Sequence, residues 1–211
     1  MIQYDRSTEV FVPKNYSSQA DIVACTKLNA ALSEVRGWLE VKRRNGRYAR
    51  GFLADLAVNS LDRRFHIHGV YDEIGMLEGT DNRISMTKKP RRMRPPLADL
   101  WHKHYFQGSF IPRNLTDEAE KMSKAGRWEA IFAPHYGKYL HEVMDQITHE
   151  IVDKAYERRA RDHRVTGEFI VYERQEDGSN YYLTIGKHDE WDAIRARVDA
   201  YKKFDTVSLP V

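Results

Sequence analysis

The fold class follows from one stretch of the sequence, GEFIVYERQEDGSNYYLTIG, residues 167–186. It contains two runs rich in aromatic and β-branched residues, separated by the polar segment 176–180, which includes Gly178. Two such runs on either side of a turn are typical of a β-hairpin. We therefore expect an antiparallel pair of strands near the carboxyl end of the chain.

Most of the remaining sequence has helical periodicity. After Ser18, a residue type that caps helices, apolar residues recur at intervals of three and four as far as Leu39. Further helices are expected after the Asn45-Gly46 turn, within residues 136–163 and from 189 to 202. The sequence thus predicts an α+β fold, rich in helix, with a small antiparallel sheet formed by the C-terminal hairpin.

Two histidine-rich stretches lie between these elements. FHIHGVY, residues 65–71, alternates in polarity, which predicts a strand with His66 and His68 on one face. LADLWHKHY, residues 97–105, follows two prolines and has apolar residues at helical intervals. We expect a helix there, with His104 toward the core and with His102 and Lys103 pointing elsewhere.

The charges are unevenly distributed. The net charge of +3 is small, yet residues 36–50 hold six basic groups against one acid, and residues 83–103 hold seven against one. Such clustering creates a positive field over part of a surface. We expect a single domain over residues 1–211, and we interpret residues 80–95 as a basic flexible loop or as an internal boundary.

Several protein classes are disfavoured by what the sequence lacks. The single cysteine, Cys25, allows neither an intrachain disulfide nor a cysteine zinc cage. No secretory signal pattern is present, and no apolar run reaches the roughly 18 to 20 residues that span a bilayer. Phosphate-loop, dinucleotide-binding and serine-hydrolase motifs are also absent. We expect a cytoplasmic protein with no cofactor and no membrane partner.

The histidines are the candidates for proton transfer, because the unperturbed pKa of imidazole lies nearest to neutrality. RNA cleavage without a metal needs a base for the 2′-hydroxyl proton, an acid for the leaving oxygen and a cation for the phosphorane charge. A histidine that is merely hydrogen-bonded in the core is the competing interpretation at each position. The candidate catalytic residues are His66, His68, His102 and His188.

The basic clusters indicate nucleic-acid binding, since lysine and arginine neutralise phosphates and release counterions. The leading hypothesis is a nucleic-acid-binding protein, for RNA rather than DNA, with metal-independent ribonuclease activity as its catalytic form. The candidate nucleic-acid-binding residues are Lys103, Arg91, Arg92, Arg43, Arg44 and Arg47.

Two alternatives come from other functional classes. One is a non-enzymatic interaction or regulatory module that docks an acidic protein surface. The other is a metal-dependent hydrolase that uses His66, His68 and carboxylates such as Asp72. The order of elements, helices first and then a hairpin that ends near a histidine, is loosely similar to small ribonuclease toxins with a helix-plus-antiparallel-sheet fold. No residue motif carries this likeness further.

Overall fold

The computed structural model describes residues 2–5, 8–14, 18–62, 65–106, 111–149, 168–187 and 190–207, with isolated residues between 152 and 161. Its helices are α1 (Gln19–Lys42), α2 (Arg50–Ser60), α3 (Ile67–Glu78), α4 (Ile111–Lys124), α5 (Trp128–Phe132), a 3-10 turn (Ala133–His135), α6 (Leu140–Thr148) and α7 (Trp191–Val207). Its strands are β1 (Ile2–Asp5), β2 (Val10–Pro13), β3 (Arg47–Tyr48), β4 (Arg91–Arg92), β5 (Trp101–His104), β6 (Phe169–Arg174) and β7 (Asn180–Gly186).

Helix α1 forms where the sequence predicts it. The Ser18 side chain accepts a hydrogen bond from the Asp21 amide at 3.2 Å, which satisfies one of the unpaired donors of the first turn. The residues that recur at helical spacing then supply the buried stripe, including Cys25, Leu32 and Leu39. This stripe packs into the same core as α2, and α2 in turn contacts β7.

The main sheet has five strands in the order β3-β7-β6-β5-β4. Strand β3 runs parallel to β7, and the other neighbouring pairs are antiparallel. The α+β class is therefore confirmed, but the sheet is larger than one hairpin and is mixed. Strands β6 and β7 occupy its interior, where Phe169 to Tyr172 are all buried. Strands β1 and β2 form a separate antiparallel pair.

The two faces of the sheet are covered by different helices. On the face that we call the α7 face, Phe169 contacts Trp191 of α7, and Thr184 donates a hydrogen bond to Asp55 of α2 at 2.9 Å. On the opposite face, the α3 face, the Tyr182 hydroxyl donates to Glu78 of α3 at 2.6 Å. Successive residues of a strand point to opposite faces, so the register assigns each side chain of β5 to one of these layers.

The strand predicted over residues 65–71 is wrong, because these residues lead into helix α3. The short alternation of FHIHGVY also fits a helix, since Val70 and Ile74 belong to a buried helical stripe that continues to Glu78. Gly79, with φ of 69°, ends the helix in the left-handed conformation. His66 is therefore the N-cap residue of α3, and His68 lies in the first turn of the helix.

The helix predicted over residues 97–105 is also wrong. Two consecutive turns, closed by hydrogen bonds from the Leu97 amide to Arg94 and from the Leu100 amide to Leu97, reproduce the spacing of three that suggested a helix. The Met93 amide then donates to the Leu100 carbonyl at 2.9 Å and closes a hairpin. Beyond it, residues 101–104 form β5, because pairing with β6 supplies their backbone hydrogen bonds.

Part of the basic segment belongs to the sheet. Arg91 and Arg92 form β4, the edge strand that pairs with β5. Both side chains are exposed. Among the described residues, none of the helices is both long enough and apolar enough to span a membrane.

Glu78 ties the end of α3 to the turn after α1 and to the sheet. Its Oε2 accepts hydrogen bonds from the backbone amides of residues 44–46, the shortest being 2.9 Å. Its Oε1 accepts from Asn180 at 2.9 Å as well as from Tyr182. Although burial acts in the opposite direction, the bonds from Tyr182, Asn180 and the backbone hold the pKa of Glu78 below its usual range.

We predict that Glu78→Gln lowers the free energy of unfolding by about 2 kcal/mol at neutral pH, since charge-assisted hydrogen bonds are lost. The folded-state pKa lies below the unfolded value, so this stabilisation is complete above the unfolded pKa and is lost as the pH falls through the folded one. Denaturant unfolding across a series of acidic pH values measures it. The prediction is contradicted if the difference in unfolding free energy between the wild type and Glu78→Gln does not become smaller on acidification. The control is Glu176→Gln, at an exposed position in the turn between β6 and β7.

Candidate functional site

Strand β5 places two histidines side by side on the α7 face. His102 pairs with Val171 and His104 with Phe169 across β6, and the two imidazole centroids are 5.3 Å apart. The Phe169 ring contacts both, at 5.4 Å from His102 and 5.9 Å from His104. His104 is buried and His102 is partly exposed. His102 is therefore the member of the pair that can meet a molecule from solvent.

Arg91 lies beside His102 on the same face. The two residues are Cα partners across β4 and β5, so their side chains leave the sheet on one side. The Arg91 side chain is exposed at the edge of the sheet. Two residues predicted from the sequence to act on a phosphodiester, one as a proton-transfer group and one as a cation, are thus neighbours in the fold.

The opposite face of the same edge carries an aromatic and two arginines. Trp101 precedes His102 and points to the α3 face, and Arg92 is its Cα partner on β4. The Arg174 guanidinium carbon lies 4.0 Å from the centroid of the Trp101 ring. Arg92 and Arg174 are both exposed. This cation–π pair, with a second cation beside it, is a surface suited to an anionic or aromatic ligand.

Lys103 is buried, with only 3% of its surface exposed, because alternation along β5 turns it toward α3. Its Nζ forms an ion pair with Glu73 at 3.0 Å. It also donates hydrogen bonds to Ser85 Oγ at 2.7 Å, Thr87 Oγ1 at 2.6 Å and the Lys88 carbonyl at 2.9 Å. Burial lowers the pKa of Lys103, and the Glu73 carboxylate opposes that shift. The expectation that Lys103 points away from the core is corrected, since this ammonium holds residues 85–88 against the sheet.

Two clefts flank the segment held by Lys103. One, of about 310 Å³, is lined by Ser85, Lys89 and Lys103 together with apolar side chains. The other, of about 510 Å³, is lined by His66 and Glu73 among others. The clefts share Met76, Arg83, Ile84 and Thr87, so the segment 83–87 is the wall between them. Both lie on the α3 side of β5, away from His102.

His66 and His68 form a second imidazole pair, with centroids 6.3 Å apart. His68 also contacts Trp38, at 5.8 Å, and Trp38 stacks on Tyr71. His66 contacts Phe106 at 5.6 Å. This pair belongs to α3 and its first turn, whereas His102 and His104 face α7, so β5 separates the two pairs. His188 lies outside the described residues.

The first basic cluster is mostly engaged within the protein. Arg43 donates to Glu40 at 2.6 Å and to the Gly46 carbonyl at 3.1 Å. The Arg47 guanidinium lies 4.5 Å from the Tyr181 ring centroid and donates to Gln175. The Arg44 side chain is exposed. Strand β3 is the edge opposite β4, so this cluster and the Arg91–Arg92 edge lie at the two ends of the sheet.

The second basic cluster is the more accessible of the two. Its side chains at the β4 edge are exposed, and no carboxylate among the described residues forms an ion pair with them. These residues are Lys89, Arg91, Arg92 and Arg94. Within the described part of the chain, no group of three or more His, Cys, Asp or Glu is arranged to hold a metal ion. Asp72, considered for a metal site, pairs instead with Arg83 at 2.7 Å.

Comparison of the chain with protein-family models found no match, and comparison with curated proteins and with solved structures found no significant similarity either. The chemistry of the site is therefore inferred from the geometry of its residues alone.

Glu73 and Trp101 have positions that the sequence patterns do not predict. Glu73 has no role in those patterns, and the apolar spacing places Trp101 on a helix. A signal for Glu73 exists, because it lies between Val70 and Ile74 on the apolar stripe of α3. A carboxylate on such a stripe requires a buried cation or donors. No comparable signal brings Arg174 to Trp101, because their contact depends on the pairing of β5 with β6.

We predict that Lys103→Met lowers the free energy of unfolding by about 3 to 5 kcal/mol, because Glu73 is left buried without its cation. The double variant Lys103→Met, Glu73→Leu should recover most of that loss, since neither charge is then buried. Denaturant unfolding of the wild type, both single variants and the double variant measures the coupling. Additive losses in the double variant would show that the two side chains do not depend on each other.

Proposed function

We propose that this protein binds RNA at the β4 edge of its sheet and cleaves it without a metal ion, with His102 as the proton-transfer group. The observation that carries the proposal is the cross-strand pairing of Arg91 with His102, which sets an exposed cation beside a partly exposed imidazole. These are the two kinds of group that metal-independent cleavage of a phosphodiester needs in contact with the substrate.

The chemistry follows from these two side chains. The His102 imidazole takes the proton of the ribose 2′-hydroxyl, and the 2′-oxygen forms a bond to the neighbouring phosphorus. Arg91 stabilises the additional negative charge of the phosphorane. The bond from phosphorus to the 5′-oxygen then breaks, and the imidazolium returns its proton to that oxygen. The products are a 2′,3′-cyclic phosphate and a 5′-hydroxyl end, so DNA, which lacks the 2′-hydroxyl, is not a substrate.

His104 packs against His102 on the buried side of this site. It is buried, and both His102 and Phe169 contact its ring. A buried neighbour of this kind limits the orientations that the His102 ring can adopt, and a fixed orientation is what proton transfer requires. His104 is therefore a positioning residue, while His66 and His68, on the other side of β5, have no part in this site.

The accessible arginines and lysine of the β4 edge supply the binding energy. Each phosphate that they neutralise releases condensed counterions, so affinity should fall steeply as salt is raised. We also infer a cytoplasmic location, because RNA and a buried free thiol at Cys25 both fit a reducing compartment.

We predict that the purified protein degrades RNA in the presence of chelator and leaves DNA of the same sequence intact. His102→Ala should reduce cleavage on the order of 100-fold or more, since general acid–base catalysis contributes at least that much. Arg91→Ala should reduce cleavage by roughly 100-fold through the loss of charge stabilisation. Arg127→Ala, which removes an exposed arginine outside the sheet, is the matched control and should retain activity.

The readout is the release of cyclic-phosphate ends from a labelled oligonucleotide, and thermal unfolding verifies that each variant is folded. Undiminished cleavage by folded His102→Ala would refute the catalytic role. Loss of all cleavage on adding chelator would refute metal independence.

Docking of an acidic protein surface is the second candidate, and one observation favours it. Ile84 and Met86, next to the basic edge in sequence, are 80% and 45% exposed. Apolar side chains beside cations are a common composition of protein interfaces. This candidate becomes the leading one if the wild-type chain neither binds nor cleaves RNA in the assay above.

A further inference from the structure

We propose that the Arg174–Trp101 stack on the α3 face is a base-binding platform, and that the RNA bound at this edge is single-stranded. The inference rests on the proposed function and concerns the face of the sheet opposite His102.

Both side chains of the Arg174–Trp101 stack are accessible to solvent, in whole or in part. Trp101 is partly exposed, and the Arg174 guanidinium carbon lies 4.0 Å from the centroid of its ring. A guanidinium is flat and has two faces. The guanidinium carbon lies over the indole ring, and Arg174 as a whole is exposed. No carboxylate among the described residues forms an ion pair with Arg174, so its charge is not already neutralised by a neighbouring acid.

A nucleobase fits this surface better than a simple anion does. Proteins that bind single-stranded RNA stack unpaired bases on aromatic rings and on guanidinium planes. The contact with the indole already restricts the Arg174 side chain, so less side-chain freedom remains to be lost when a base stacks on it. Arg92, the Cα partner of Trp101, stands beside the stack and can take the phosphate of the same nucleotide.

The shape of the edge favours a single strand over a duplex. Strand β4 has only two residues, and Arg91 and Arg92 leave it on opposite faces. An RNA chain that meets both arginines must therefore pass around the edge, from the base-binding platform to His102. A flexible single strand can make that bend within a few nucleotides, whereas a duplex is stiff over this length. The bases of a duplex are also already stacked on one another.

The test separates planarity from charge at Arg174. Arg174→Lys keeps the positive charge and removes the planar guanidinium. The matched control is Arg127→Lys, which makes the same exchange at an exposed arginine that lies outside the sheet. Both variants are made in a His102→Ala background so that the RNA remains intact.

Fluorescence anisotropy then measures the affinity for a labelled single-stranded RNA oligonucleotide and for a hairpin duplex of similar length. We expect Arg174→Lys to weaken single-strand binding roughly tenfold, as the loss of one stacked base does, with the salt dependence unchanged. Arg127→Lys should leave that affinity unchanged. The parent protein should bind the single strand more tightly than the duplex.

Each other outcome has a separate meaning. If Arg91→Ala and Arg92→Ala weaken binding while Arg174→Lys does not, the platform is refuted and the proposed function stands. Equal affinity for single strand and duplex, or equal losses in Arg174→Lys and Arg127→Lys, also refutes the platform. If the parent protein binds neither RNA, the proposed function and the platform fail together.

Discussion

The buried ion pair between Glu73 and Lys103 is the interaction on which the architecture of the sheet edge depends. Each charge is costly to bury alone, and the pair is tolerated because Lys103 also meets the oxygens of Ser85, Thr87 and Lys88. The same contacts join three separate parts of the chain, α3, the segment after it and β5. The chain that leaves this anchor enters β4 directly, so the pair sets where the exposed arginines begin.

Pleating of the strands then divides the edge into two chemically different surfaces. One surface has His102 beside Arg91, and the other has Trp101 beside Arg92, because neighbouring residues in a strand point to opposite faces. Lys103 lies between the two histidines in sequence but faces the core on the side away from them. The two surfaces, for which we propose proton transfer and base stacking, thus lie on opposite sides of β5.

The predicted and observed secondary structure disagree in two stretches, and both disagreements have the same physical cause. Residues 65–71 and 97–105 are both short, and over such a length apolar spacing does not distinguish a helix from a strand or from successive turns. Pairing with β6 decides the state of β5, and a buried stripe that extends to Glu78 decides the state of α3. The pairing of β5 uses residues far away in the chain, and the stripe of α3 uses residues just beyond the stretch, so neither is contained in so short a window.

The amino-acid sequence alone predicts the α+β class, the long first helix and the concentration of basic residues over 83–103. These follow from periodicity, capping and charge, which act over a few neighbouring residues. The contacts of Arg91 with His102 and of Arg174 with Trp101, and the burial of Lys103, arise from the tertiary structure. Those outcomes depend on which strands pair and in which register, and a shift by one residue would exchange the two faces of the edge.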